Sequence, residues 1–235
     1  MKIIEQKYSS FEGIKKIAIL GDPACRECWK KNTPPFLEYV WRVHRPDLFL
    51  VAGDLAVDGA SSEYKEFLYS VRRYPALLAA VPGDHDRPID TFRDYFGSTR
   101  KIIDAGKWRF VGCNTAHRVF TKGEAEFLES NLTSNSIIFT HVPPGIEGWT
   151  FHSFSPLHSE RFLSVVERNR SKIKAAFFGH IHGYSRNEYL GIPFIATGGL
   201  AESFAIRNNR YDGPGFTQMM VLDAATGEIS LCKTG

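Results

Sequence analysis

Leu48-Phe49-Leu50-Val51-Ala52-Gly53-Asp54 is the stretch from which the fold follows. Five apolar residues closed by glycine are too short for a core helix and fit a strand buried on both faces. Upstream, Lys16-Ile17-Ala18-Ile19-Leu20 is a run of the same kind and also ends in Gly-Asp, at Gly21-Asp22. Downstream, Ala76 to Val81 is a third, ending in Pro82-Gly83-Asp84-His85-Asp86. Helical patterns lie between them. Thr33-Pro34-Pro35 predicts a helix start with proline at the first helical position, and Phe36, Leu37, Val40 and Trp41 follow at helical spacing. Tyr64, Phe67, Leu68 and Val71 keep the i, i+3, i+4, i+7 pattern of a helix that Ser61 or Ser62 would cap. The first half is therefore βαβαβ, a parallel arrangement whose ligand site lies outside the carboxyl ends of its strands.

The second half changes character. Lys101 to Ile103 and Trp108 to Cys113 predict a hairpin turning at Ala105-Gly106. Thr121-x-x-Glu124 is a capping box that opens a helix through Leu132. Ser136 to Thr140 is a strand ending at His141, and Ala175 to Phe178 one ending at Gly179-His180-Ile181-His182, with a helix near Ser159 to Asn169 between them. Pro143 to Pro156 is rich in Pro, Gly, Ser and aromatics without periodicity, the composition of a lid or binding loop. Short strands near 185–190, 192–196, 217–222 and 228–232 close the chain. With no internal repeat and no linker, one domain over 1–235 is expected, two sheets packed face to face and flanked by helices.

Composition narrows the function classes. Of 235 residues, 43% are hydrophobic and 23% charged, which places the chain among ordinary globular proteins. The net charge of +3 is too small and too evenly spread to argue for nucleic acid or an anionic membrane. No apolar run approaches the roughly 20 residues of a spanning helix. The opening Met1-Lys2-Ile3-Ile4-Glu5-Gln6-Lys7 has no uninterrupted apolar core of a secretory signal. Four cysteines, at 25, 28, 113 and 232, do not make a disulfide scaffold at this length, so a reducing cytoplasm is expected.

The chemistry lies at the strand ends. Asp22, Asp54, Asp84-His85-Asp86, His141 and His180-x-His182 each follow an apolar strand. Taken singly, each has an ordinary explanation: a Gly-Asp turn, or a hydrogen-bonded core histidine. Together, on one sheet edge, they converge into a set of carboxylates and imidazoles that suits divalent zinc, manganese or iron. Two such ions about 3.5–4 Å apart can clamp an in-line displacement at phosphorus.

In this order the residues resemble the calcineurin-like metallophosphoesterases, whose pattern runs Asp-x-His, Gly-Asp, Gly-Asn-His-Asp or Glu, His, Gly-His-x-His. Gly53-Asp54-Leu55 followed by Tyr64 and Phe67 is similar to the branch that contains cyclic-nucleotide phosphodiesterases. The resemblance implies an α/β fold, a four-layer α-β-β-α sandwich of two mixed sheets flanked by helices. It implies one or two divalent ions, with Asp54 bridging, Asp22 and His182 on the first and Asp84, His141 and His180 on the second. It further implies His85 as acid or phosphate-oxygen stabiliser, Asp86 orienting it, and a metal-bound hydroxide attacking a small-molecule phosphodiester or phosphomonoester, a nucleotide among the options.

Two positions depart from that pattern. Ala24 stands where the family has a histidine, and Asp84 where it has asparagine. They carry a second reading, a non-catalytic ligand- or partner-binding protein on the same scaffold. Cys25, Glu27, His44 and His117 are candidates to replace the absent imidazole. Cys25-Arg26-Glu27-Cys28 also has the spacing of a thiol redox pair, with nothing else in the chain to support it.

Overall fold

The computed structural model describes residues 1–24, 29–200, 204–207, 210–214 and 217–233, of which 204–207 and 210–214 are described as backbone only. In chain order the elements are β1 (Lys2–Ile3), β2 (Tyr8–Phe11), β3 (Lys16–Leu20), α1 (Trp29–His44), β4 (Leu48–Ala52), α2 (Ser61–Val71), β5 (Leu77–Val81) and α3 (Ile89–Phe96). Then come β6 (Lys101–Ala105), β7 (Trp108–Gly112), α4 (Lys122–Asn131), β8 (Ser136–Thr140), α5 (Pro156–Arg168), β9 (Ile173–Phe178), β10 (Tyr184–Tyr189) and β11 (Ile192–Thr197). The last four are β12 (Phe204–Arg207), β13 (Arg210–Pro214), β14 (Gln218–Asp223) and β15 (Ile229–Lys233).

Two mixed sheets form the body. One has six strands in the order β1-β5-β4-β3-β14-β15, and the other seven in the order β10-β11-β9-β8-β7-β6-β2. Within the first, β3, β4 and β5 run parallel and β14 returns antiparallel beside β3. Within the second, β7, β8, β9 and β11 are parallel. The buried apolar residues fall into three layers, as four stacked layers of structure require. Ile17, Ile19, Leu50, Val81, Phe110, Phe139 and Phe177 pack between the sheets. Leu20, Val51 and Leu78 face α1, α2 and α3 through Phe36, Phe67 and Phe92. Ile138, Ala176 and Phe178 meet α4 and α5 through Leu128 and Phe162. The alternation of side chains along each central strand feeds one layer on each face, so the α-β-β-α sandwich is the fold.

Local details differ from the sequence reading. Helix α1 begins at Trp29, ahead of Thr33-Pro34-Pro35, and both prolines lie inside it. Trp29 is buried against Phe67 with ring centroids 6.1 Å apart, and that packing holds the added turn in spite of the two missing N–H groups. Ala60, not a serine, caps α2, and the Glu63 carboxylate accepts the Ala60 N–H at 2.9 Å. Thr121 caps α4 as expected, accepting from Glu124 N at 3.1 Å, while the Glu124 side chain turns away to Arg100. Strands β1 and β2 carry too few apolar residues for a periodic signal, whereas α3 has one, Ile89, Phe92 and Phe96 at i, i+3, i+7, that the sequence reading passed over.

Lys101 is an unexpected core residue. It is wholly buried, and its ammonium donates to the carbonyls of Ile4 at 2.5 Å, Phe96 at 2.8 Å and Glu5 at 3.1 Å. This ties the segment between β1 and β2 to the end of α3. Lys101→Met keeps the stem but leaves the Ile4 and Phe96 carbonyls without this donor, while that of Glu5 still accepts from Ser98 N at 2.7 Å. We expect a loss of about 3 kcal/mol in urea-denaturation stability. Among the described residues, no helix is long and apolar enough to cross a membrane.

Candidate metal centre

Six of the strand-end residues singled out in the sequence arrive at one place. Asp22, Asp54 and Asp84 come from the ends of β3, β4 and β5, and His141, His180 and His182 from the ends of β8 and β9. The two sheets meet here, where Gly21 bridges Gly199 and the His141 ring reaches the Ala52 carbonyl at 2.8 Å. Glycines make the approach possible. A Cβ on Gly83 would collide with the Asp54 carboxylate and stand 2.6 Å from its backbone N. At Gly53, φ is +85° and a Cβ would lie 2.5 Å from His141 Nδ1. The glycine of each Gly-Asp pair thus secures close packing as well as a turn. Asp22, Asp54, His180 and His182 themselves hold φ between 54° and 66°, a left-handed backbone that ordinary residues adopt at a cost and that collects at functional sites.

The donor atoms converge. His141 Nε2 lies 2.9 Å from Asp84 Oδ1, 3.4 Å from Asp54 Oδ2 and 3.2 Å from His180 Nδ1. His180 Nδ1 is 3.0 Å from Asp84 Oδ1, and His182 Nε2 is 3.2 Å from Asp22 Oδ1. Two groups, Asp84-His141-His180 and Asp22-Asp54-His141, each offer ligand atoms within 4.8 Å of one another. Asp54 Oδ2 is buried and, among the described residues, accepts no hydrogen bond. The His141 imidazole 3.4 Å away offsets its charge only in part against burial and the other carboxylates, so a further cation there would be favourable. The donor set therefore fits divalent ions, and oxygen with imidazole nitrogen suits zinc, manganese or iron.

The electrostatics follow from burial. Desolvation, reinforced by Asp22, Asp86 and Asp84, pushes Asp54 well above the usual carboxylate range. Burial pulls His141 down, but Asp54, Asp84 and Asp22 outweigh it and hold the imidazole up to about 10. Desolvation takes His180 down to about 4. The Ala52 carbonyl accepts the His141 Nδ1 proton, so Nε2 is the nitrogen that points at the carboxylates and must lose its proton to bind an ion. A prediction follows with its sign. Mn²⁺ binding at pH 7 should release at least one proton from the interacting Asp54–His141 pair and none from His180, which is already neutral. Calorimetry in buffers of differing ionisation enthalpy reads the number directly.

His85 and Asp86 occupy separate settings. The Val57 carbonyl accepts from His85 Nδ1 at 2.7 Å, and His85 N donates to Asp54 Oδ1 at 3.0 Å. The orienting partner of His85 is therefore Val57. Asp86 instead accepts from Asp54 N at 2.8 Å, Gly83 N at 2.9 Å, Leu55 N at 3.0 Å and the Tyr64 hydroxyl at 3.1 Å. It fixes the loops that carry Asp54 and Asp84.

Of the candidates to replace the imidazole absent at Ala24, Cys25 and Glu27 lie outside the described residues, as does Cys28. His44 sits beside Lys16, at the far end of β3 from Asp22, and His117 is exposed. Arg118 had no sequence signal, whereas His152 lies in the aromatic loop whose composition is that of a lid or binding segment. Arg118, in the loop between β7 and α4, donates through Nε to Asp84 Oδ2 at 2.9 Å. His152, in the 143–156 loop, brings its ring to 5.5 Å from that of His180. His158 is structural, bonded to the Phe120 carbonyl, and Asn114 forms a turn by accepting from Ala116 N.

A two-sheet sandwich with a carboxylate–imidazole cluster buried where its sheets meet defines a metal-dependent hydrolase. The family model of calcineurin-like phosphoesterases matches residues 15–184, and the chain belongs to that family. It is 27% identical over 196 residues to a probable cyclic nucleotide phosphodiesterase of Vesicomyosocius okutanii, covering 79% of this chain and 81% of the relative. It is 27% identical over 205 residues to a 3',5'-cyclic-nucleotide phosphodiesterase of a Nostoc species, covering 78% and 77%. The crystal structure of a dimetal phosphatase from Danio rerio superposes with a TM-score of 0.66 at 13% identity, over 94% of this chain and 96% of that one, a likeness of fold. The chain is thus a phosphoesterase, and the geometry gives the non-catalytic alternative no support of its own.

Proposed function

We propose that this phosphoesterase hydrolyses small phosphodiesters, 3',5'-cyclic nucleotides among them, in the cytoplasm. The observation that carries the metal-dependent reading is the orphaned Asp54 Oδ2 amid buried imidazoles and carboxylates. The substrate class is supported by the names of the two relatives. Asp22, Asp54 and His182 would hold one divalent ion, and Asp84, His141 and His180 a second. Manganese, iron or zinc, when bound, supplies a nucleophile from water at neutral pH and polarises the phosphoryl oxygens. The chain's own groups do the rest. Because Val57 takes the Nδ1 proton of His85, Nε2 is the working nitrogen, and when protonated it donates to the leaving oxygen. Asp86 keeps Asp54 and the Gly83 turn in place.

The test is hydrolysis of 3',5'-cyclic AMP, an aryl phosphodiester and an aryl phosphomonoester with added Mn²⁺, Fe²⁺, Zn²⁺ or Mg²⁺. Turnover of the diesters is expected; folded protein inactive with every ion sinks the proposal. His85→Ala should bind metal normally and lose about a hundredfold in kcat on the alkoxide-leaving cyclic nucleotide. On a nitrophenyl ester, which needs no acid, the loss should be far smaller.

A further inference from the structure

Arg118 belongs to no motif, yet it enters the centre from the loop between β7 and α4. Its Nε donates to Asp84 Oδ2 at 2.9 Å, and its Nη2 donates to the same oxygen. The other oxygen, Oδ1, faces the imidazoles, 2.9 Å from His141 Nε2 and 3.0 Å from His180 Nδ1. One carboxylate is therefore divided between two tasks. The Asp84 side chain is 4% exposed and that of Arg118 is 59% exposed, so the acid is inside and its counter-charge stands at the mouth. Arg118 holds φ at +57°, a left-handed backbone kept at a cost. Among the described residues, no other arginine or lysine pairs with Asp54 or Asp84.

We propose that Asp84 and Arg118 act as one ligand unit, in which the guanidinium occupies Oδ2, leaves Oδ1 to the metal centre and cancels the negative charge that Asp84 would add to Asp22 and Asp54. Arg118 is then a positioning residue. Three bare aspartates around the ions repel an anionic phosphate. With one of them neutralised from the solvent side, the position gives an oxygen donor at little cost in positive potential. The inference deepens the metal-centre reading and rests on it.

Mn²⁺ titration of the purified full chain, by calorimetry or electron paramagnetic resonance, tests the pair without any turnover. Arg118→Ala leaves one negative charge uncancelled and should bind Mn²⁺ about tenfold tighter; Asp84→Asn leaves the guanidinium unopposed and should bind about tenfold weaker. Asp84→Asn/Arg118→Ala restores the net charge and should return to within about threefold of wild type, the charge compensation that the pair requires. In turnover, Arg118→Ala should raise KM more than it lowers kcat. Single variants that shift affinity in the same direction, or a double variant no closer to wild type than Asp84→Asn, overturn the pair. So does an Arg118→Ala variant that raises KM with Mn²⁺ affinity unmoved, the signature of a substrate clamp alone. Folded wild type that takes up no Mn²⁺ overturns both the pair and the metal-centre reading, and thermal melts of all four proteins establish that they are folded.

Discussion

Asp54→Asn should raise the melting temperature of the metal-free protein and at the same time abolish metal-dependent stabilisation and lower turnover at least about a thousandfold. The two effects have one cause. In the metal-free chain, Asp54 Oδ2 is buried without a hydrogen bond, and desolvation with repulsion from Asp22, Asp86 and Asp84 outweighs its attraction to the His141 imidazole 3.4 Å away. Removing its charge relieves about 1–3 kcal/mol of desolvation and repulsion, which for a chain of this length is a rise of several degrees. With Mn²⁺ present the order reverses. Wild type gains stability by mass action, and the variant, lacking the Asp54 ligand, gains little. Differential scanning calorimetry with and without Mn²⁺ reads both. A metal-free variant less stable than wild type would show that Asp54 is a structural acceptor rather than a ligand held ready.

Asp86→Ala should do the opposite, costing about 4 kcal/mol in stability and more than a hundredfold in turnover, although Asp86 is not among the proposed ligands. Its two oxygens serve four buried donors: the backbone N–H groups of Asp54, Gly83 and Leu55, and the Tyr64 hydroxyl. Alanine leaves all four unmet. Asparagine rescues only in part, because its NH₂ faces donors on one side. Urea unfolding and a Mn²⁺ titration separate this from a role confined to His85. If Asp86 served only to orient the imidazole, stability and metal uptake would not change.

The strand ends were legible because strand and ligand are written in consecutive residues. Lys16 to Leu20, Leu48 to Ala52 and Ser136 to Thr140 each show an apolar run, and each chemical group follows directly. Parallel neighbours share an edge, so a ligand placed at one carboxyl end lies near the next. Local chemistry misled where packing overruled it. Pro34 and Pro35 suggested the first turn of a helix, whereas the burial of Trp29 moved that start to an earlier turn.

The amino-acid order by itself determined the two-sheet layered arrangement, its central strands and the six groups, from Asp22 to His182, that assemble at one edge. Only the tertiary structure decided how those groups are served. Val57, and not Asp86, orients His85; Arg118 answers Asp84 from 34 residues away; His152 comes in on a loop without periodicity. The physical reason is the range of the interactions. Alternation and strand termini are properties of a few neighbouring residues, whereas a carbonyl, a guanidinium or a ring on an irregular loop finds its partner only when two sheets have closed on each other.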